Sequence, residues 1–227
     1  MKRKIPDMKK VWFYAPLLFC LPVVAHAQAA VDFGVGFGSA WDSSSGQGIE
    51  GPLSINAFGS CSPSAPVDQF CEKTPSLNGF FLGFSGDIMF KEKFGAGFEG
   101  NFQPSRENYG PLQSRVSFID VNAIYQPYVS KRATIQLQGG IGDARTSFAF
   151  SQSSCVGTVV CTTGTQPVGN ATHFQVHVGV GVQIGITDHL FIRPQFDLHY
   201  APSFDNQWGN NAVPEATVWV GYHFGSR

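Results

Sequence analysis

Every second residue from Phe174 to Ile186 is large and apolar: Phe174, Val176, Val178, Val180, Val182, Ile184 and Ile186. The residues between them are Gln175, His177, Gly179, Gly181, Gln183 and Gly185. Successive side chains of a strand point to opposite faces, so this alternation predicts one long strand with a greasy face and a small, amide-lined face. A soluble sandwich would bury the greasy face and put charge into water on the other. Charge is nearly absent from both faces here. Lipid on one side and a narrow polar lumen on the other account for the pattern, which predicts a strand of a membrane-spanning β-barrel.

Seven further segments carry the same period. Residues 31–41 set Val31, Phe33, Val35, Phe37 and Trp41 against Asp32, Gly34, Gly36, Gly38 and Ala40. Residues 79–90 put Phe80, Leu82, Phe84, Ile88 and Phe90 outward and Gly83, Ser85 and Asp87 inward. After the charged turn Lys91-Glu92-Lys93, a third strand places Phe94, Ala96, Phe98 and Phe102 outward against Gly95, Gly97, Glu99 and Asn101. A fourth, about 116–127, has Ile119, Val121, Ala123 and Tyr125 outside and Asp120 and Asn122 inside. A fifth sets Ala133, Ile135, Leu137, Gly139 and Ile141 against Thr134, Gln136, Gln138, Gly140 and Gly142. The strand at 174–186 is the sixth. The seventh sets Leu190, Ile192, Phe196, Leu198 and Tyr200 against Arg193, Gln195, Asp197 and His199, with Pro194 at an unfavourable interior position. Ala216, Val218, Val220, Tyr222 and Phe224 mark the last.

Connections after the second, fourth and sixth strands are short. Those after the first, third, fifth and seventh are long, polar and rich in Gly, Ser and Pro, at about 42–78, 104–114, 145–171 and 201–214. Short periplasmic turns opposite long extracellular loops are the habit of outer-membrane barrels. The expected fold is all-β, an eight-stranded antiparallel up-and-down transmembrane β-barrel with both termini in the periplasm. A soluble lipocalin-like barrel, the rival fold, would leave the Gly and Gln face in water.

The first residues supply an address. Lys2, Arg3, Lys4, Lys9 and Lys10 precede an apolar run from Val11 to Val24, and Ala25-His26-Ala27 is an A-x-A cleavage site followed by Gln28. Residues 1–27 therefore read as a secretory signal peptide cut between Ala27 and Gln28, leaving 28–227 as the barrel domain. Met8 offers an alternative start. Phe19 before Cys20 is too bulky for a lipidation site. Of 15 Lys and Arg the signal removes five, and of 16 Asp and Glu it removes one, leaving 10 − 15 = −5. A mildly acidic mature chain gives no support for nucleic-acid binding.

Four cysteines remain, Cys61 and Cys71 in the first long loop and Cys155 and Cys161 in the third. Three connectivities are open. Closeness in sequence favours Cys61–Cys71 and Cys155–Cys161, each contributing about 2–3 kcal/mol by constraining the unfolded chain. Neither pair has the spacing or histidine partner of a metal site, and no cofactor motif is visible.

The inward set contains Asp32, Asp87, Glu99, Asp120, Asp197, His177, His199, His223 and Arg193. A barrel of this size is just wide enough for side chains to fill, and an ion within it needs partners. Arg193 is expected to pair with two or more of Asp87, Glu99, Asp120 and Asp197. Such a network reads first as a structural plug, and alternatively as the gate of a narrow pore. In the loops, Phe58, Phe70, Tyr109, Phe204 and Trp208 are candidate binding aromatics.

The closing segment Ala216-Thr-Val-Trp-Val-Gly-Tyr-His-Phe224 resembles the terminal strand of bacterial outer-membrane barrels. The segments Gly139-Gly140-Ile141-Gly142 and Leu190-Phe191-Ile192-Arg193-Pro194 resemble parts of the opacity-protein and outer membrane protein A-like eight-stranded barrels. The resemblance implies a bacterial outer-membrane location in contact with its lipid. It also implies an assembly signal at Val220, Tyr222 and Phe224 read by the barrel-assembly machinery, although Gly225-Ser226-Arg227 follow it here. Some such barrels deacylate lipid A with a His and a Ser two positions apart, because the hydroxyl needs a neighbouring base. Here Ala201 stands two positions after His199. The expectation is a monomeric, non-enzymatic scaffold for surface loops, with a narrow gated pore as a variant of that reading. A surface-binding adhesin and a lipid-modifying enzyme are its rivals.

Overall fold

The structure, a computed structural model, describes residues 30–42, 77–91, 93–109, 112–130, 132–156, 160–202, 204 and 210–225. Its strands are β1 (Ala30–Ala40), β2 (Phe80–Lys91), β3 (Phe94–Phe102), β4 (Glu107–Tyr109), β5 (Leu112–Val129), β6 (Ala133–Val156), β7 (Val160–Gly185), β8 (Leu190–Tyr200) and β9 (Ala212–Phe224). Each pairs antiparallel with the next in sequence, except that β3 bypasses β4 to pair with β5. Pairing of β1 with β9, from Val31 opposite Phe224 to Ala40 opposite Glu215, closes the sheet into an eight-stranded barrel. Closure leaves no edge within the barrel wall, the condition for strands to cross lipid.

Alternation along each strand follows the sequence. Phe33, Phe84, Phe98, Val121, Ile141, Val178, Phe196 and Val220 lie on the outer surface, with Val121 62% exposed. The start of β1, the end of β9 and the three short turns share one end, the periplasmic end of such a barrel. Two of those turns are closed by side-chain hydroxyls that take over backbone hydrogen bonding. Thr187 Oγ1 accepts from the Leu190 amide at 2.9 Å, and Ser130 Oγ donates to the Ala133 carbonyl at 2.8 Å.

Three expectations about the other end need correction. Residues 145–171 are not a loop: β6 and β7 stay paired from Ala133 opposite Ile184 out to Val156 opposite Val160, forming a ribbon that projects past the barrel. The expected loop at 104–114 contains β4, paired with the start of β5, which begins at Leu112 and not near Val116. The expected loop at 201–214 ends early, because β9 starts at Ala212. Of the first long connection, an Asp42–Leu77 bridge is described. The signal segment, Cys61, Cys71, Phe58, Phe70 and Trp208 lie outside the described residues.

Pro194 has a local explanation. Its pairing with β9 is intact, opposite Val218. Pairing of β7 with β8 lapses between Gly181–Gln195 and Ile184–Ile192, so the missing N–H falls where no ladder bond is made.

Candidate functional site

The inner faces of the strands meet in a lumen packed with side chains in layers. At the periplasmic end His223 Nδ1 contacts Asp32 Oδ1, and Gln183 Nε2 donates to Asp32 Oδ2 at 3.0 Å. Above them β8 delivers Arg193 across the lumen to Asp87 on β2, with Nη1 donating to Oδ2 at 2.6 Å. The arginine is completely buried, its guanidinium lies 5.6 Å from the Trp219 ring centroid, and Gln136 Nε2 gives Asp87 a second donor at 3.2 Å. Space for this layer comes from glycine. A Cβ on Gly36 would stand 2.7 Å from the Trp219 ring.

The next layer is held by amides. Gln138 Nε2 donates to Glu99 Oε2 at 2.8 Å, and Gln195 Nε2 reaches Glu99 at 3.0 Å and Asp197 at 2.9 Å. Asp197 also meets His177 Nε2 at 2.8 Å, while His177 Nδ1 lies 3.1 Å from Asn122 Oδ1. Both ring nitrogens face oxygens, an arrangement that a doubly protonated ring satisfies. His199 stacks on His177 with centroids 4.7 Å apart, and its Nε2 lies 3.0 Å from Glu215 Oε2. Asp120 takes a hydrogen bond from Gln175 Nε2 at 2.8 Å.

Toward the outside the lumen turns apolar. Phe81, Phe118, Phe148, Val116, Val213 and Ala144 point inward and pack with Leu77, Ala201 and Phe204 from the connections. Phe118 stacks on His199 at 4.4 Å, joining this lid to the polar layers. Phe204, expected as an exposed loop aromatic, is fully buried here. It satisfies the lid and is not presented outward.

All nine expected inward residues, Asp32, Asp87, Glu99, Asp120, Asp197, His177, His199, His223 and Arg193, are buried in these layers. The expected pairing of Arg193 with several carboxylates is corrected: among the described residues its direct ion pair is with Asp87 alone. Glu99 and Asp120 receive amide donors instead, because the reach of one guanidinium covers one layer. Glu215 and Trp219 were missed. Their signal was the alternation of the last strand, whose inner face reads Glu215, Thr217, Trp219, Gly221 and His223.

Among the described residues no serine hydroxyl hydrogen-bonds to a histidine, and Ser85 Oγ faces Arg193 Nη2 at 3.5 Å. No group of three or more potential metal ligands occurs among them either. Cys155 and Cys161 are placed by backbone register alone, directly opposite each other near the ribbon tip.

Residues 13–224 match the outer membrane protein beta-barrel domain family. The chain belongs to that family. It is an outer-membrane β-barrel of the bacterial envelope, as the closed sheet and its lipid-facing apolar surface require. No curated protein sequence matches it. Among solved structures it is similar to a major outer membrane protein from Thermus thermophilus, at 8% identity over 86% of this chain and 99% of that one, with a TM-score of 0.53. Ail, the attachment invasion locus protein of Yersinia pestis, matches at 9% identity over 86% and 99%, TM-score 0.49. The outer membrane protease OmpT from Escherichia coli matches at 8% over 87% and 96%, TM-score 0.35. At these identities the likeness concerns the fold.

Proposed function

We propose that this barrel is a non-enzymatic, sealed anchor that holds the β6–β7 ribbon and its neighbouring connections at the cell surface. One observation carries the reading: the lumen is filled by interlocked polar layers and capped by an apolar lid, with Arg193, His177 and Glu215 fully buried. A passage for solutes would require several layers to move together. The test is efflux from liposomes containing the folded protein. Trapped small sugars and ions are retained as in protein-free vesicles; release at a rate proportional to protein would refute the sealed reading.

A second reading, a narrow gated pore, draws on one observation. Arg193 Nε, Gln195 Oε1, His199 Nδ1 and Trp219 Nε1 are buried polar atoms without a described hydrogen-bond partner. Such atoms cost about 1–3 kcal/mol each when unsatisfied, and water entering the lumen would satisfy them. Retention of sugars with leakage of protons in the same vesicles would favour this reading.

A further inference from the structure

Outside the lumen, three arginines converge on the outer face of the wall at its extracellular end. Arg115 on β5 stands opposite Ser147 on β6, and Ser117 stands opposite Arg145, so the two arginines are diagonal neighbours. Both are exposed. Arg106, in the link between β3 and β4, reaches the same spot: its Nη1 donates to the Ser147 carbonyl at 3.3 Å and its Nη2 to Ser147 Oγ at 3.1 Å. Partial burial, and then the adjacent Arg115 charge, hold the Arg106 guanidinium below its ordinary pKa. Between these groups lies a cleft of about 280 Å³ lined by Phe102, Arg115, Ser117, Arg145 and Ser147. That is just under the roughly 300–1,000 Å³ of ordinary small-molecule sites.

Among the described residues no carboxylate forms an ion pair with Arg106, Arg115 or Arg145. Asp143 lies two positions from Arg145 on the same face but forms no ion pair with it among the described residues. Glu107 is turned toward Gly79 and Gln103, where its carboxylate would clash with a Cβ on Gly79. Like charges so placed repel, whereas an anion bridging them would collect several charge-assisted hydrogen bonds.

The height of the cleft identifies the anion's source. Arg115 is four residues beyond Ile119, and Arg145 four beyond Ile141, which are 49% and 58% exposed in the apolar belt. At ~3.3 Å per residue and a tilt of ~40°, both arginines stand about 10 Å above those belt residues, at the headgroup level of the outer leaflet. Phe102 forms the cleft's apolar wall and stacks at 6.1 Å on Phe84, which faces lipid. A ligand held here has its anion among guanidinium groups and its lower part on greasy surface.

We propose that this cleft binds the phosphorylated headgroup of an outer-leaflet lipid, with the acyl chains lying on the belt below. The phosphate accepts from Arg115 and Arg145, Ser117 and Ser147 hydroxyls complete the contact, and Arg106, reaching from the β3–β4 link, holds Ser147 at the cleft's edge. The site rests on the membrane location and stands whether or not the lumen conducts.

The test uses the folded full-length mature protein in detergent micelles, titrated with fluorescent diphosphorylated lipid A, with dephosphorylated lipid A and inorganic phosphate as comparisons. Diphosphorylated lipid A is expected to bind at least about tenfold more tightly than the dephosphorylated form. Arg115→Gln/Arg145→Gln should abolish that preference, Arg145→Lys should keep part of it, and Lys91→Gln at the opposite end should leave it unchanged. Equal binding of both lipid forms by the unaltered protein overturns the proposal without recourse to any variant. Undiminished preference in the double variant overturns it too. Displacement of the lipid by inorganic phosphate at comparable concentration would assign the cleft to a free anion and likewise overturn it.

Discussion

Replacing Arg193 by methionine keeps much of the volume and removes the guanidinium that reaches Asp87 at 2.6 Å. Asp87 then retains one described donor, Gln136 Nε2 at 3.2 Å, and remains a buried carboxylate without a counter-charge. Breaking one side of a buried pair costs about 3–5 kcal/mol, because the surviving ion stays desolvated. Lost stacking of the guanidinium over Trp219 falls within that range. With an m-value of about 2 kcal/mol/M in urea, the unfolding midpoint moves down by about 1.5–2.5 M. The assay is urea unfolding of the barrel in lipid vesicles, followed by tryptophan fluorescence and by the heat-dependent gel shift of a folded barrel. Arg193→Met/Asp87→Leu should recover most of the loss, since neither charge is then left alone. A loss below about 1 kcal/mol in the single variant, or a double variant no better than the single, would refute the reasoning.

Three further outcomes follow from the same packing. Val180→Arg, midway along the outer face of β7, should cost about 2–4 kcal/mol in a bilayer, and Thr172→Arg near the rim about 0–1 kcal/mol; equal effects would speak against a lipid-facing surface. Gly36→Ala should destabilise by about 1–3 kcal/mol by forcing a methyl against the Trp219 ring, while Gly164→Ala on the ribbon, with nothing within 4 Å, should be close to neutral in the same urea assay. Cys155 and Cys161 occupy opposed positions in the backbone register, and opposed antiparallel residues have Cα atoms about 4.5–5.5 Å apart, within disulfide range. Peptide mapping of oxidised protein should therefore find a 155–161 crosslink; two free thiols there would overturn the pairing.

The barrel wall was legible because lipid imposes a pattern on sequence. From Phe174 to Ile186 every outward position must be apolar, so strand, register and facing all show in one alternation. The ribbon beyond it was not legible. Residues 145–171 cross no membrane and need no greasy face, so Ser, Thr, Gly and Asn read as loop although their backbones pair. The apolar lid was obscured for a similar reason: Phe80, Phe81 and Leu82 form an unbroken run in which the inward Phe81 does not stand out. Membership of the lumen network followed from strand parity, which is why Asp87, Glu99 and Arg193 were placed correctly. Partner choice did not follow, because β2 and β8 are separated around the wall by β1 and β9, and their meeting across the lumen depends on the stagger of the whole barrel.

The central claim is that this lumen is sealed. Single-channel recording of the folded protein in a planar bilayer tests it most directly, using material that shows the heat-dependent gel shift. The account predicts a silent bilayer for the unaltered protein. Discrete, reproducible openings would contradict it, and would turn the Arg193–Asp87 layer and the Phe118–Phe204 lid into the parts of a gate.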